Sequence, residues 1–179
     1  MLPLTIKEAE YFDDEKQEFI KINEQHLRLE HSLVSVSKWE AKWKKPFLSK
    51  EPKTHEETID YIRLMTITQN VNPLVYTFLP NEVIDQVQEY IDDPMTATTI
   101  KTEHKPGKQE IVTSELIYYW MTNYNIPFEC EKWHLNRLLC LIGVCNAKNE
   151  KPKKMPRNEI YNNNKALNAA RRAKAHSKG

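Results

Sequence analysis

Only three of the 179 residues are glycine, against roughly twelve expected at about 7% usage. Phosphate-binding loops, tight hairpin turns and nucleophile elbows are built from glycine, because other residues tolerate their backbone geometry poorly. The shortage therefore argues against most nucleotide-binding enzyme folds. The length suits one domain with a short appendage, and two full domains would be cramped.

The charges are distributed unevenly along the chain, although the formal net charge is only +1. Residues 148–179 contain ten Lys or Arg and two acids, a net charge of +8. Residues 1–147 contain sixteen basic and twenty-three acidic residues, a net charge of −7. The sequence therefore predicts an acidic globular domain at 1–147, a basic proline-containing linker at 148–157 and a basic C-terminal helical tail at 158–179.

The spacing of apolar residues changes near residue 32. Before it, alternation with period two predicts short strands, and after it, helical spacing predicts helices. The predicted strands cover 4–6, 18–22 and 27–30, with a turn at 13–15. The predicted helices cover about 32–45, 54–70, 81–92, 115–124, 128–147 and 158–174, with an ambiguous apolar piece at 74–79 and an exposed loop at 95–109 that has a short strand at 98–100 as an option. The predicted class is mainly α (α+β): a small N-terminal antiparallel β element packed on a body of five to six helices.

Local signals mark several of the helix ends. Thr54 and Glu57 have the spacing of a capping box. Pro46 ends the first predicted helix, and Pro94 ends the third, because the residue before a proline avoids helical geometry. Thr113 or Ser114 is suited to cap the helix at 115–124.

Residue types that commonly perform catalysis or bind metals are scattered. Cys130, Cys140 and Cys145 are ten and five residues apart, which matches no C-x-x-C metal pattern and predicts buried, reduced thiols in a cytosolic protein. His134 follows Trp133 in the most apolar predicted helix, where a hydrogen-bonded interior or interface histidine is the favoured interpretation. No Walker, nucleophile-elbow or zinc-protease motif is present. We therefore expect a protein that is not an enzyme, with no catalytic residue, no metal site and no cofactor.

No run of 18 apolar residues is present, and the first eight residues lack the pattern of a secretory signal. These features predict no membrane partner.

Aromatic residues are concentrated in the predicted helices at 115–124 and 128–147. The six rings can form a core cluster or the anchors of a protein–protein contact, where Trp and Tyr are enriched, and we expect both at once. The candidate interface for a client or for self-association consists of Tyr118, Tyr119, Trp120, Tyr124, Phe128, Trp133 and Leu138.

The basic tail has two interpretations that composition does not separate. Its charges can neutralise nucleic-acid phosphates, or they can pair with an acidic protein surface such as that of a neighbouring copy. A helix-turn-helix is disfavoured, because Lys132, Asn136 and Arg137 stand among many large apolar residues. Nucleic acid is therefore not the expected partner. The tail residues that would make these contacts are Arg157, Lys165, Arg171, Arg172 and Lys174.

Four stretches together resemble a known family. They are Asp-Asp-Pro-Met-Thr-Ala-Thr-Thr at 92–99, Tyr-Tyr-Trp-Met at 118–121, Ile-Pro-Phe-Glu-Cys-Glu-Lys-Trp-His-Leu-Asn-Arg-Leu-Leu at 126–139 and Ala-Leu-Asn-Ala-Ala-Arg-Arg at 166–172. The chain resembles the tail assembly chaperones of long-tailed bacteriophages (siphoviruses), encoded near the tape-measure gene. The resemblance extends over most of the chain, and the stretch at 126–139 is its most specific part.

The resemblance implies a function without catalytic residues. Such chaperones bind the long, helical, hydrophobic tape-measure protein and keep it soluble while the tail tube polymerises around it. The implied partners are the tape-measure protein, other copies of the chaperone and, as a further candidate, the tail tube protein. The implied location is the cytoplasm of the bacterial host, with no copy in the mature virion. Two alternatives remain open: a structural virion protein of the neck or tail-completion type, and a nucleic-acid-binding protein that uses the basic tail.

Overall fold

The computed structural model describes residues 1–13, 17–98, 111–149 and 156–175. Helices account for 56% of the chain described, and the strands lie near the N-terminus. The predicted class, mainly α with a small antiparallel β element, is therefore confirmed. The chain divides into two compact units, Met1–Ala147 and Lys148–Gly179.

The N-terminal strands form two small antiparallel sheets. β1 (Leu2–Ile6) pairs with β4 (Gln25–Leu29), and β2 (Ala9–Asp13) pairs with β3 (Glu18–Ile22). Alternate residues of β1 and β4 are buried, as the period-two pattern predicts. The sequence missed β2, because Phe12 beside Tyr11 interrupts the alternation. The buried residues of the first sheet are Leu4, Ile6, Leu27 and Leu29.

Helix α1 (Leu33–Trp43) begins at Ser32, whose side chain forms a capping box with Ser35. It ends at Lys44, which adopts the left-handed conformation with φ 55°, two residues before Pro46. Trp39 is buried and donates from Nε1 to the carbonyl of Glu57 at 3.0 Å. This bond joins α1 to the next helix.

Helix α2 (His55–Met65) begins with the predicted capping box at Thr54, but it ends about five residues earlier than predicted. Thr66 instead forms a bridge with Leu29 of β4. The N–H of Ile67 donates to the carbonyl of Arg28 at 2.8 Å. Pairing with a strand from earlier in the chain therefore ends the helix.

Two helices follow between residues 66 and 98. The ambiguous piece at 74–79 contains the short helix α3 (Leu74–Thr77). Helix α4 (Asn81–Asp92) has the predicted bounds, and it buries Val87 and Tyr90. The predicted loop at 95–109 and the optional strand at 98–100 fall largely on residues 99–110, which lie outside the described residues; Thr98 has no regular structure.

Helix α5 (Ser114–Asn123) begins at the Thr113 cap as predicted. The helix predicted at 128–147 is wrong at its start. Residues Phe128–Lys132 form a short 3₁₀ helix, and α6 spans Leu135–Asn149. The backbone is extended at Trp133, and His134 forms a bridge with Ser32, so this part of the chain pairs with the α1 region before α6 begins.

The second unit contains helix α7 (Arg157–Lys174), in which no residue is buried. The predicted tail helix is therefore present as a helix. Most of the predicted linker at 148–157 corresponds to residues 150–155, which lie outside the described residues.

The three thiols are free, but only Cys130 is buried. Cys140 and Cys145 are partly exposed, so the expectation that all three are buried is wrong for these two. Both lie on α6, whose buried face is formed by Leu135, Leu138 and Ile142. Within the described ranges, no helix is both long and apolar enough to cross a membrane.

Candidate protein-binding surface

Helix α5 divides its residues between the core and the surface. Ile117 and Met121 are 0% exposed, and they fix the inward face at helical spacing. The chain then turns at Asn125, which has φ 52°, and Ile126 donates its N–H to the Met121 carbonyl at 2.8 Å. This turn places the 3₁₀ helix beside α5.

Six aromatic residues around this turn form what we term the aromatic surface. Its members are Tyr118, Tyr119 and Trp120 on α5, Tyr124 just after it, Phe128 in the 3₁₀ helix and Trp133.

Two members of the aromatic surface project most fully into solvent. Tyr119 is 63% exposed and Phe128 is 58% exposed. The ring of Tyr118 lies 6.4 Å from that of Phe128, centroid to centroid. An apolar ring that water reaches on most sides is an unfavourable arrangement that a partner's apolar side chain can relieve.

The four remaining rings are partly buried, and three of them contact polar or charged groups. The Tyr118 hydroxyl donates to Oε2 of Glu131 at 2.9 Å, and burial, followed by the charge and hydrogen bond of Glu131, raises the pKa of Tyr118 to about 12. The Arg137 guanidinium lies 4.2 Å from the centroid of Trp133. Tyr124 donates from its hydroxyl to Oδ1 of Asn146 at 3.2 Å. These contacts fix the rings and so lower the entropic cost of binding.

Trp120 lines an open groove of about 650 Å³. Leu139 of α6 and the pair Ile111 and Val112 contribute further apolar side chains to its wall. Ile111 is 62% exposed. We call this cavity the α5 groove; the other residues that line it are Leu48, Ser49, Lys50, Glu51 and Pro52.

The prediction that Leu138 belongs to the candidate protein-binding interface is wrong. It is 0% exposed and belongs to the hydrophobic core with Leu135 and Ile142. Because α6 is apolar on most of its circumference, the sequence alone could not say which of its leucines faces inward.

His134 is buried, and both of its ring nitrogens have hydrogen-bonding contacts. Nδ1 lies 3.3 Å from the Asn136 N–H, which donates to it. Nε2 therefore carries the proton and donates to the Tyr90 carbonyl at 2.9 Å. This arrangement ties the start of α6 to α4.

A second buried histidine, which the sequence did not single out, adjoins the first. The rings of His31 and His134 are 5.0 Å apart. Nδ1 of His31 lies 2.5 Å from the Tyr61 hydroxyl. Burial, with the neighbouring His134 and Lys53, lowers the pKa of His31 to about 3. His31 is therefore a neutral ring, packed edge to face against His134. Among the described residues, no group of three or more His, Cys, Asp or Glu could hold a metal ion.

The basic tail residues are all exposed on α7. Arg171 and Lys174 share one face of the helix with Ile160 and Leu167, at i, i+7, i+11 and i+14. Lys165 and Arg172 share a different face with Tyr161. The predicted tail contacts thus fall into two sets, and Arg157 precedes both.

Two surface features were not predicted. Phe12 and Phe19 pair across β2 and β3 with ring centroids 5.1 Å apart, and they are 45% and 73% exposed. Helix α4 carries four exposed acids at i, i+3, i+7 and i+10, which we term the acidic stripe: Glu82, Asp85, Glu89 and Asp92. Their helical spacing was visible in the sequence and could have revealed the stripe.

Comparison with models of known protein families, with curated proteins and with solved structures finds no match.

Proposed function

We propose that this protein is a non-enzymatic tail assembly chaperone of a long-tailed phage, which binds the tape-measure protein and keeps it soluble during tail tube assembly. The observation that supports this proposal is the aromatic surface beside the α5 groove. Tyr119 and Phe128 are more than half exposed, and Trp120 lines a groove of about 650 Å³. A surface of this kind suits an apolar helical client.

The chemistry of the α5 groove favours a helical client segment. An amphipathic helix binds a groove through apolar side chains at i, i+3 or i+4, and i+7. The apolar wall from Trp120, Leu139 and Val112 offers contacts for such side chains, and Lys50 and Glu51 provide a polar rim. Anchors with a polar end, such as Tyr119, serve this purpose well because they tolerate water before the client arrives.

The proposal includes other copies of the chain as partners, with the tail tube protein as a further candidate. A client many helical turns long needs several chaperones along it. Residues 148–179 have a net charge of +8 and residues 1–147 a net charge of −7, which suits contacts between copies. The proposed location is the host cytoplasm, and the protein should be missing from purified virions.

Co-expression of the chain with the tape-measure protein of the same genome tests the proposal. The double variant Tyr119→Ser/Phe128→Ser should reduce the soluble fraction of the client severalfold, because it removes the two most exposed rings of the aromatic surface. Phe19→Ser is the matched control, since Phe19 is 73% exposed and lies outside that surface.

Two results would contradict the proposal. One is a client that remains equally soluble with the double variant and with the wild-type chain, provided both chaperones are expressed at equal levels. The other is detection of the protein as a stoichiometric component of purified particles by mass spectrometry, which would favour a structural virion protein.

A further inference from the structure

Helix α7 is rich in asparagine and in basic residues. It is 18 residues long, and none of its residues is buried. Its sequence contains five basic residues, five asparagines and one acid. Asparagine is a weak helix former, so the stability of the helix does not explain this composition. Contacts of these side chains with a partner would explain it.

Five exposed polar side chains form one row along α7. They follow one another at i, i+4, i+7, i+11 and i+15, so they lie within about 40° of Asn168 around the helix axis. The row is about 22 Å long. We call it the α7 row, and its members are Arg157, Tyr161, Asn164, Asn168 and Arg172.

The charges of α7 are arranged around this row. Lys165 and Arg171 are exposed and lie about 60° to either side of Asn168. Glu159, the one acid of the helix, lies about 180° from Asn168. The α7 row is therefore a line of hydrogen-bonding groups that has positive charge on both sides and the negative charge behind it.

We propose that α7 binds duplex DNA, with the α7 row in the major groove and with Lys165 and Arg171 at the phosphates on its two sides. A helix about 10–12 Å in diameter fits a major groove about 12 Å wide. Asparagine pairs with the edge of adenine and arginine with that of guanine, while flanking cations neutralise the backbone. The inference does not depend on the proposed function, because α7 lies in the second unit and the aromatic surface in the first.

Duplex DNA satisfies the α7 row more completely than the acidic surface of another copy does. Carboxylates only accept hydrogen bonds, so they would leave the side-chain carbonyl oxygens of Asn164 and Asn168 without a donor. Base edges in the major groove offer both donors and acceptors. Ile160 and Leu167 do not stand in the way, because they lie about 80° and about 100° to one side of Asn168.

The far side of α7 is poorly suited to a lipid surface. A helix that lies on a membrane buries large apolar side chains opposite its cations. Behind the α7 row stand instead Glu159 and the small side chains of Ala166, Ala170 and Ala173. Duplex RNA is also a poor partner, because its A-form major groove is too narrow to be read by side chains.

Fluorescence anisotropy of the full-length chain with a labelled DNA duplex of about 20 base pairs, from about 50 mM to about 200 mM salt, tests the inference. Asn164→Ala/Asn168→Ala should weaken binding about tenfold, because two hydrogen-bonding side chains are lost. Asn162→Ala/Asn163→Ala is the matched control: it makes the same replacement about 120° and about 140° from Asn168, and it should change affinity less than about twofold. Any effect of alanine on helix stability is common to the two variants.

The salt dependence tests the flanking cations separately. Lys165→Gln should reduce the slope of the logarithm of affinity against the logarithm of salt concentration by about 0.9, the value for one phosphate contact. Lys174→Gln removes the same charge about 120° from Asn168 and should reduce the slope by less. Circular dichroism checks that each variant keeps its helices.

Several results would overturn the inference. One is the absence of duplex binding at about 50 mM salt, and another is an equal loss of affinity in the two asparagine variants. Binding at least as tight to duplex RNA, or to vesicles of phosphatidylglycerol and phosphatidylcholine, would assign α7 to a different partner. Sedimentation velocity covers the remaining case: self-association that Asn164→Ala/Asn168→Ala weakens, in a chain that does not bind the duplex, would assign α7 to contacts between copies.

Discussion

The buried carboxylate of Glu40 accepts a hydrogen bond from the backbone N–H of Ser114 at 2.8 Å, across 74 positions of sequence. Its other oxygen accepts from the N–H of Phe47 at 2.7 Å. Ser114 is the first residue of α5, and the first N–H groups of a helix have no partner within the helix. Glu40 supplies that partner together with a negative charge, which the helix dipole favours at this end.

Replacing Glu40 with Gln should lower the free energy of unfolding by about 2 kcal/mol, because the amide loses the charge and one of two acceptor oxygens while both N–H groups stay buried. Urea denaturation measures the effect. The matched control is Glu89→Gln, the same replacement on the exposed stripe of α4, and it should change stability by less than about 0.5 kcal/mol. Equal effects for the two variants would show that Glu40 has no special role.

Acid should destabilise the fold through His31. The pKa of His31 is about 3 in the folded chain, against 6.5 for a histidine in an unfolded chain. The unfolded chain therefore takes up the proton first as the pH falls. The contribution of the neutral His31 ring to the free energy of unfolding is complete above pH 6.5. It is lost progressively towards pH 3, by about 1.4 kcal/mol per pH unit at most. Glu57 and Asp60 also have lowered pKa values, but their contributions are lost at lower pH, so the range from about pH 6.5 to about pH 4.5 isolates His31.

Urea unfolding at several pH values tests this prediction with His31→Asn, whose stability should depend less on pH in that range than that of the wild-type chain. His26→Asn, at an exposed position, should retain the wild-type dependence. NMR titration of the wild-type histidines gives an independent check: a His31 ring that protonates near pH 6.5 would refute the prediction even if His31→Asn does not fold.

The capping box of α2 should be worth about 1 kcal/mol. Thr54 accepts from the Glu57 N–H at 3.2 Å and donates its own N–H to Glu57 Oε2 at 2.8 Å. Thr54→Ala removes the first of these bonds and should reduce thermal stability accordingly. Thr58→Ala, one turn into the same helix, should be neutral or slightly stabilising because alanine favours the helix interior. A similar loss in both variants would indicate a general effect of removing threonine rather than capping.

Replacing Leu138 should mainly lower stability, whereas replacing Phe128 should mainly impair client binding. Leu138→Ala leaves a cavity in the core and should cost about 2–5 kcal/mol in the free energy of unfolding. Phe128→Ala, at a residue that is 58% exposed, should cost less than about 1 kcal/mol but impair client solubilisation. Thermal unfolding together with the co-expression assay distinguishes the two residues, and a larger stability loss at Phe128 would place that ring in the core.

The features that the sequence predicted correctly depend on neighbouring residues. The cap at Thr54, the start of α4 at Asn81 and its end before Pro94 all follow from residues within one or two helical turns. The acidic first unit and the basic tail likewise followed from simple counts of charge. Local chemistry was sufficient for these features.

The predicted start of α6 and the predicted end of α2 were wrong because distant parts of the chain meet there. Helix α6 begins at Leu135 because the His134 backbone pairs with Ser32, about a hundred positions earlier, and the Leu135 N–H donates to the His31 carbonyl at 2.7 Å. Helix α2 ends early because Thr66 pairs with Leu29. No window of sequence around these residues includes the partner that decides the outcome.

The aromatic surface shows the same limit. The sequence identified the cluster of rings, but it could not separate Tyr119, which is 63% exposed, from Leu138, which is 0% exposed. When a helix is apolar on most sides, the spacing of its apolar residues does not show which of them face inward. Only the packing of α5 and α6 against the rest of the first unit determines that choice.

The anchoring of α5 by Glu40 also bears on how the gene can vary. A side chain of α1 holds the first turn of α5 through a backbone N–H of Ser114 and not through the serine side chain. Proline should therefore be excluded at position 114, because it lacks the N–H that donates to Glu40, whereas position 40 should retain an acid.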